Sequence, residues 1–67
     1  MNINEAAKQA IKENKCITVP EIYGVAKINL TNDENSCILV AVDGTVLTKS
    51  WKPSAKDLIR EDWIVVD

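Results

Sequence analysis

The stretch CILVAVDGTVLTKS, residues 37–50, contains the strongest structural signal in the sequence. Residues 37–42 are continuously apolar, which is typical of a central strand covered on both faces of a sheet. Asp43 and Gly44 follow at once, and an Asp-Gly pair between two strand-like segments favours a two-residue hairpin turn. Residues 45–50 are expected to return as the partner strand, so the sequence predicts an antiparallel sheet.

Two more strands are predicted on the N-terminal side of this hairpin. Residues 16–19 form a short segment rich in β-branched side chains. Residues 22–30 alternate in the manner of a strand, which places Tyr23 on the same face as Lys27. Residues 31–35 are all polar and are expected to form the loop that joins this strand to the hairpin.

A helix is predicted at the start of the chain. Its apolar stripe has helical spacing and consists of Ile3, Ala6, Ala7, Ala10 and Ile11. Asn2 is expected to cap this helix, and Glu5 stands three residues later, where the second partner of a capping box belongs. Because the stripe consists mostly of alanine, it allows the helix to lie close on a sheet.

A second, short helix is predicted near the end of the sequence. Ser54 is expected to be its N-cap, with Asp57 three residues later in the manner of a capping box. Leu58 is expected to anchor this helix inward, together with Ile59. Residues 63–66 then form a last β-type segment.

The predicted order of elements is α-β-β-β-β-α-β, which belongs to the α+β class. The sequence therefore predicts a single domain over residues 1–67. In it, the N-terminal helix packs on a mostly antiparallel sheet of about five strands, and the short helix precedes the last strand. A domain of this length buries only about 60% of its unfolded surface, so self-association is expected to supplement its core.

The composition argues against catalysis. The 67 residues carry 8 basic and 10 acidic side chains and no histidine. The missing histidine excludes Ser/His/Asp triads and histidine-ligated metal sites, and no glycine-rich phosphate loop is present. The net charge of −2 gives no electrostatic basis for binding a nucleic-acid polymer. We therefore expect a protein that is not an enzyme and that requires no cofactor.

The sequence predicts an intracellular environment. The first residues lack the basic start and apolar core of a signal peptide, and no apolar run is long enough to span a membrane. Cys16 and Cys37 stand in apolar, strand-like segments, so they are expected to be buried, unpaired thiols.

Four residues are candidates for contacts with a ligand: Tyr23, Lys49, Trp51 and Ser54. Tyr23 suits an exposed position, a subunit interface or a stack on a ligand. Trp51 suits the core as well as a ligand, because polar residues flank it at a strand-to-helix corner, whereas Trp63 is assigned to the core. Helix capping alone explains Ser54. These residue types leave the choice open.

Much of the chain resembles a family of small phage and prophage proteins. The pattern consists of DGT at residues 43–45, W-K-P-S at 51–54, D-L at 57–58 and D-W-I-V-V at 62–66. It is similar to the end of the type-two Thoeris anti-defence proteins, and the helix at the start also matches. The resemblance implies a protein of the bacterial host's cytoplasm that sequesters a cyclic ADP-ribose-like signalling nucleotide without cleaving it. It also implies a homo-oligomer, a dimer or tetramer, with the ligand held between protomers.

One segment departs from the family pattern. Many relatives have R-x-x-W shortly after the first strand, whereas residues 18–23 contain neither arginine nor tryptophan. Tyr23 is the residue that could replace this tryptophan as a stacking platform. In a nucleotide-binding protein, Tyr23 and Trp51 would stack on a base. Lys49 would face phosphate and Ser54 would form a hydrogen bond.

The sequence leaves a second function open. The alternative is a protein–protein inhibitor of a bacterial defence system, similar to an anti-CRISPR relative, that binds no nucleotide. The loss of the tryptophan in the R-x-x-W pattern favours this interpretation, because a protein surface would then replace the ligand pocket.

Overall fold

The computed structural model of the protein describes residues 1–30 and 37–67. Its elements in chain order are α1 (Ile3–Glu13), β1 (Cys16–Thr18), β2 (Ala26–Leu30), β3 (Cys37–Ala41), β4 (Val46–Thr48), α2 (Ala55–Ile59) and β5 (Ile64–Val66). Helix α1 packs on a five-strand antiparallel sheet and α2 precedes the last strand, which confirms the predicted α+β class. The predicted loop at residues 31–35 lies outside the described residues.

The strands lie in the order β4-β3-β2-β1-β5, and every neighbouring pair is antiparallel. The register places Ile28 of β2 between Ile17 of β1 and Leu39 of β3. Val65 of β5 stands opposite Ile17 on the other side of β1. Since directly opposed residues share a face, these four side chains form an apolar row across the sheet.

Helix α1 lies mainly over β1, β2 and β5 and covers one face of these strands. Strand β1 is buried along its whole length. Strand β3 lies second from the edge of the sheet, and each of its residues is only half-buried. The prediction that residues 37–42 form a central strand covered on both faces is therefore wrong, because the helix covers a different part of the sheet.

The capping box predicted for α1 is present. The Oδ1 of Asn2 accepts a hydrogen bond from the N–H of Glu5 at 2.8 Å. The Glu5 Oε1 in turn accepts one from the N–H of Asn2 at 3.1 Å. Ala6 and Ala10 are fully buried, whereas Ile11 is exposed, so the predicted stripe is wrong at Ile11.

Trp63 belongs to the hydrophobic core, as predicted. Its side chain is 1% exposed and is the largest of the fully buried side chains among the described residues. The indole N–H donates to the carbonyl oxygen of Asp57 at 2.9 Å, so the polar atom of this side chain is satisfied. Trp51 packs edge-on against Trp63, with ring centroids 6.2 Å apart and planes at 77°.

Helix α2 is capped as predicted but is not anchored as predicted. The Ser54 Oγ accepts from the N–H of Asp57 at 3.2 Å, and the Asp57 Oδ2 accepts from the N–H of Ser54 at 2.9 Å. Leu58 and Ile59 are 55% and 80% exposed, so their assignment as inward anchors is wrong. The five-residue helix is attached through the Asp57 carbonyl, which accepts the indole hydrogen bond of Trp63, and no buried side chain belongs to it.

The predicted hairpin joins β3 to β4, and its loop is one residue longer than predicted. The N–H of Ala41 donates to the carbonyl of Thr45 at 2.8 Å. The N–H of Gly44 donates to the carbonyl of Ala41 at 2.9 Å. The loop consists of Val42, Asp43 and Gly44, and the φ of +95° at Gly44 suits the last residue of a three-residue hairpin loop.

Residues 20–25 form a turn, so the prediction that the second strand begins at residue 22 is wrong. The N–H groups of Val25 and Ala26 both donate to the carbonyl oxygen of Ile22 at 2.9 Å. Gly24 has φ of +81°, a left-handed conformation that glycine adopts more readily than other residues. Strand β2 begins only after this turn.

Candidate functional site

A groove of about 430 Å³ opens on the face of the sheet opposite α1. Ile17 and Ile28 belong to the core beneath α1, so their chain neighbours Thr18 and Lys27 point to the other face. The residues that line the groove include Thr18, Tyr23, Gly24, Lys27, Val42 and Asp67. The turn at residues 20–25, the hairpin loop and the residues around the end of β5 therefore border it.

Tyr23 is the aromatic residue of the groove. It is 64% exposed and lies in the turn at residues 20–25. A main-chain hydrogen bond of 3.0 Å from the N–H of Val42 to the carbonyl of Val25 ties this turn to the hairpin loop. An exposed ring on an ordered turn is well placed to stack on a planar ligand.

Lys27 is the cation among the described lining residues, and it is not among the four predicted ligand contacts. Its Nζ donates to the main-chain oxygen of Asp67 at 2.6 Å. The Asp67 carboxylate lies 3.5 Å from the Nζ of Lys15. The alternation of residues 22–30 contained the signal for Lys27, because it placed this residue and Tyr23 on one face.

The buried polar groups beside the groove are already satisfied. The Thr18 hydroxyl, which is buried, donates to the carbonyl oxygen of Ala26 at 2.9 Å. Within residues 1–30 and 37–67, no buried side-chain nitrogen or oxygen lacks a hydrogen-bond partner. Recognition of a ligand in this groove would therefore depend on the exposed ring of Tyr23, the ammonium group of Lys27 and the exposed carboxylate of Asp67.

The other three predicted site residues do not line the groove. Lys49 is exposed and follows the end of β4. Trp51 is half-buried against the core, and its main-chain N–H donates to the carbonyl of Cys37 at 3.0 Å. Ser54 caps α2. Since the core lies on the α1 side of the sheet and the groove on the other, one chain does not bring Trp51 together with Tyr23.

Replacement of Ser54 tests whether its hydroxyl acts as a helix cap. We expect Ser54→Ala to lower the free energy of unfolding by about 1 kcal/mol, because α2 loses the oxygen that accepts from Asp57. Ser54→Thr keeps a hydroxyl at the same place and should stay close to the wild type. Urea denaturation followed by circular dichroism measures the difference. Equal loss in both variants would contradict the capping role.

A cluster of three charged side chains lies next to the turn. Arg60 donates from Nε and Nη2 to the two carboxylate oxygens of Asp62, at 2.6 and 2.8 Å. Its Nη2 also donates to Oε1 of Glu21 at 2.9 Å. The hydrogen bonds from Arg60 hold the pKa of Asp62 below its ordinary value. A carboxyl with a lowered pKa stabilises the fold above its unfolded pKa and loses this contribution as the pH falls through its folded pKa.

The described residues contain no metal centre. Within the described ranges, no group of three or more His, Cys, Asp or Glu side chains is placed to hold a metal ion. None of the helices that the structure describes is long and apolar enough to cross a membrane.

Comparison of the chain with protein-family models, curated proteins and solved structures finds no match. The function must therefore be argued from the groove.

Proposed function

We propose that this chain is a phage anti-defence protein that sequesters a cyclic ADP-ribose-type or related cyclic nucleotide without cleaving it, in the cytoplasm of the bacterial host. The observation that supports the proposal is the presence of an exposed aromatic ring, Tyr23, and a cation, Lys27, in one groove. The groove volume of about 430 Å³ lies within the range of about 300–1,000 Å³ typical of small-molecule sites.

The two groups suit different parts of such a nucleotide. The Tyr23 ring stacks on adenine, a contact that needs no unsatisfied polar group in the protein. The Lys27 ammonium exchanges the main-chain oxygen of Asp67 for a phosphate oxygen, so that a cation and an anion are paired. Base and phosphate are thus bound by an exposed ring and a half-buried lysine, and the chain is required to do no chemistry on the ligand.

The proposal includes a homo-oligomer, a dimer or tetramer. Lys49, Trp51 and Ser54 lie outside the groove of their own chain. In the assembly we propose, the segment at residues 49–54 of one protomer lies beside the groove of another and completes the site. This arrangement also supplies the additional buried surface that a chain of this length needs.

Recovery of intact ligand after denaturation tests the proposed function. Purified protein is incubated with cyclic ADP-ribose, freed of unbound ligand, and heated, and the supernatant is examined by mass spectrometry. We expect unmodified cyclic ADP-ribose to be released. Release of a cleaved product would contradict sequestration, and absence of any ligand from a panel of cyclic nucleotides would contradict nucleotide binding.

A matched pair of lysine variants makes this test specific for the groove. Lys27→Met removes the cation that lines the groove, whereas Lys56→Met removes an exposed lysine of α2 that does not line it. The first variant should retain much less ligand than the wild type, and the second should retain as much. Equal retention by both variants would place the ligand elsewhere on the chain.

A different observation favours the alternative function, a protein–protein inhibitor of a bacterial defence system. Leu58 and Ile59 expose adjacent apolar side chains on α2, and no residue of this helix is buried. Exposed apolar side chains of this kind are common in protein interfaces. In this case a defence-system protein is retained on immobilised chain, a Leu58→Ser/Ile59→Ser variant loses it, and no cyclic nucleotide is recovered on heating.

A further inference from the structure

The Arg60 guanidinium, which binds the turn at residues 20–25, is itself oriented by Asp62. Nε and Nη2 bind both carboxylate oxygens of Asp62, a two-pronged contact that sets the plane of the guanidinium group. The side chain of Arg60 is only 14% exposed. Its Nη2 is then directed at the carboxylate of Glu21, 2.9 Å away and 39 residues distant in sequence.

The segment that carries Arg60 and Asp62 is attached to the core. On one side of it, the Asp57 carbonyl accepts the indole hydrogen bond of Trp63. On the other side, the main-chain N–H of Trp63 donates to the carbonyl of Met1 at 3.0 Å. The main chain around Arg60 is therefore anchored by Trp63, the most deeply buried aromatic residue among those described.

The turn at residues 20–25 is held in its middle and at its end: Ile22 packs against the core, and the carbonyl of Val25 accepts from the N–H of Val42. It also contains Gly24, which has few conformational restraints. Glu21 stands at its beginning, and the salt bridge from Glu21 to Arg60 ties that end to the core. Tyr23, two residues beyond Glu21, lines the groove together with its neighbour Gly24.

We propose that Arg60 is a positioning residue: held by Asp62, it binds Glu21 and so fixes the turn that places Tyr23 in the groove opposite Lys27. The tether itself is a property of the fold, and its effect on a ligand rests on the proposed function. Arg60 does not line the groove and need not touch the ligand. Loss of the tether should therefore loosen the turn without unfolding the chain.

Amide hydrogen exchange in Glu21→Ala tests the tether. The amides of Val25 and Ala26, which close the turn onto Ile22, should exchange about two- to fivefold faster than in the wild type, as expected for loss of a mostly exposed ion pair. The amides of Ile17 and Ile28 in the sheet should be unchanged. Glu21→Gln, which keeps an oxygen acceptor for Arg60, should recover part of the protection.

Glu13→Ala is the matched control, because Glu13 also forms a carboxylate ion pair, with Lys15 at 3.6 Å, but lies at the end of α1. In Glu13→Ala, the amides of Val25 and Ala26 should exchange as in the wild type. Unchanged exchange at Val25 and Ala26 in Glu21→Ala, or equal acceleration of the strand amides, would overturn the tether.

Cyclic ADP-ribose binding by the same variants tests the effect on the groove. If the wild type binds cyclic ADP-ribose, Glu21→Ala should raise the dissociation constant of this ligand. The factor should be similar to the acceleration of amide exchange at Val25 and Ala26, and the unfolding temperature should not change. An unchanged dissociation constant with a loosened turn would overturn the positioning role. If the wild type does not bind cyclic ADP-ribose, the proposed function fails for this ligand, and the exchange rates still decide the tether.

Discussion

Trp63→Ala should lower the free energy of unfolding by about 3–5 kcal/mol, the loss expected when a fully buried large aromatic side chain is truncated. Trp63 is 1% exposed and contacts the helix, the sheet and Trp51 around it. The total stability of a 67-residue chain is only about 3–10 kcal/mol. The variant is therefore expected to lose a large share of the total stability, and urea denaturation followed by circular dichroism measures the change.

Two further tryptophan variants separate the contributions to this loss. Trp63→Phe retains an aromatic ring but removes the N–H that donates to Asp57, so it should lose less stability than Trp63→Ala. Trp51→Ala removes a half-buried ring at the margin of the core and should also lose less. A Trp63→Ala variant that unfolds at the urea concentration of the wild type would contradict the central place of Trp63.

The elements that the sequence predicts well are those specified by neighbouring residues. Both capping boxes depend on residues three positions apart, Asn2 with Glu5 and Ser54 with Asp57, and both are present. The hairpin depends on a left-handed glycine between two apolar segments, and it too is present, with Gly44 in that conformation. Interactions between residues close in the sequence determine these features, so they can be predicted without a tertiary structure.

The wrong predictions concern features that depend on tertiary packing. The apolar residues 37–42 have the composition of a buried strand, but their burial depends on which strands α1 covers, and it covers β1, β2 and β5. Their apolar character predicts that Leu58 and Ile59 face inward. Both are exposed in the structure, where the Asp57 carbonyl of α2 accepts the indole hydrogen bond of Trp63 and none of the side chains of α2 is buried.

The sequence predicts the candidate site only in part. Its residue type makes Tyr23 a candidate, and the structure adds its position in a groove. The predicted alternation places Lys27 on the same face as Tyr23, but only the turn at residues 20–25 shows that the two line one groove. Trp51 shows the opposite case: its position at a corner suits a ligand contact, but its ring packs edge-on against Trp63.

Tyr23→Ala should weaken the binding of cyclic ADP-ribose roughly five- to a hundredfold and leave the free energy of unfolding almost unchanged. The stacking of a base on an aromatic side chain contributes about 1–3 kcal/mol, which converts to this range of dissociation constants. Tyr23 is 64% exposed, so its truncation opens no cavity in the core. Isothermal titration calorimetry gives the affinity, and urea denaturation gives the stability.

Two further aromatic variants show whether the ring of Tyr23 contacts the ligand. Tyr23→Phe keeps the stacking ring and should bind nearly as well as the wild type, since the proposed contact is made by the face of the ring. Trp51→Ala should lose stability, because its ring packs against Trp63 in the core, whereas Tyr23→Ala should keep the stability of the wild type. If Tyr23→Ala bound cyclic ADP-ribose as tightly as the wild type, the groove would not be the ligand site. The exposed apolar surface of α2 would then be the stronger basis for a function, because it does not depend on the groove.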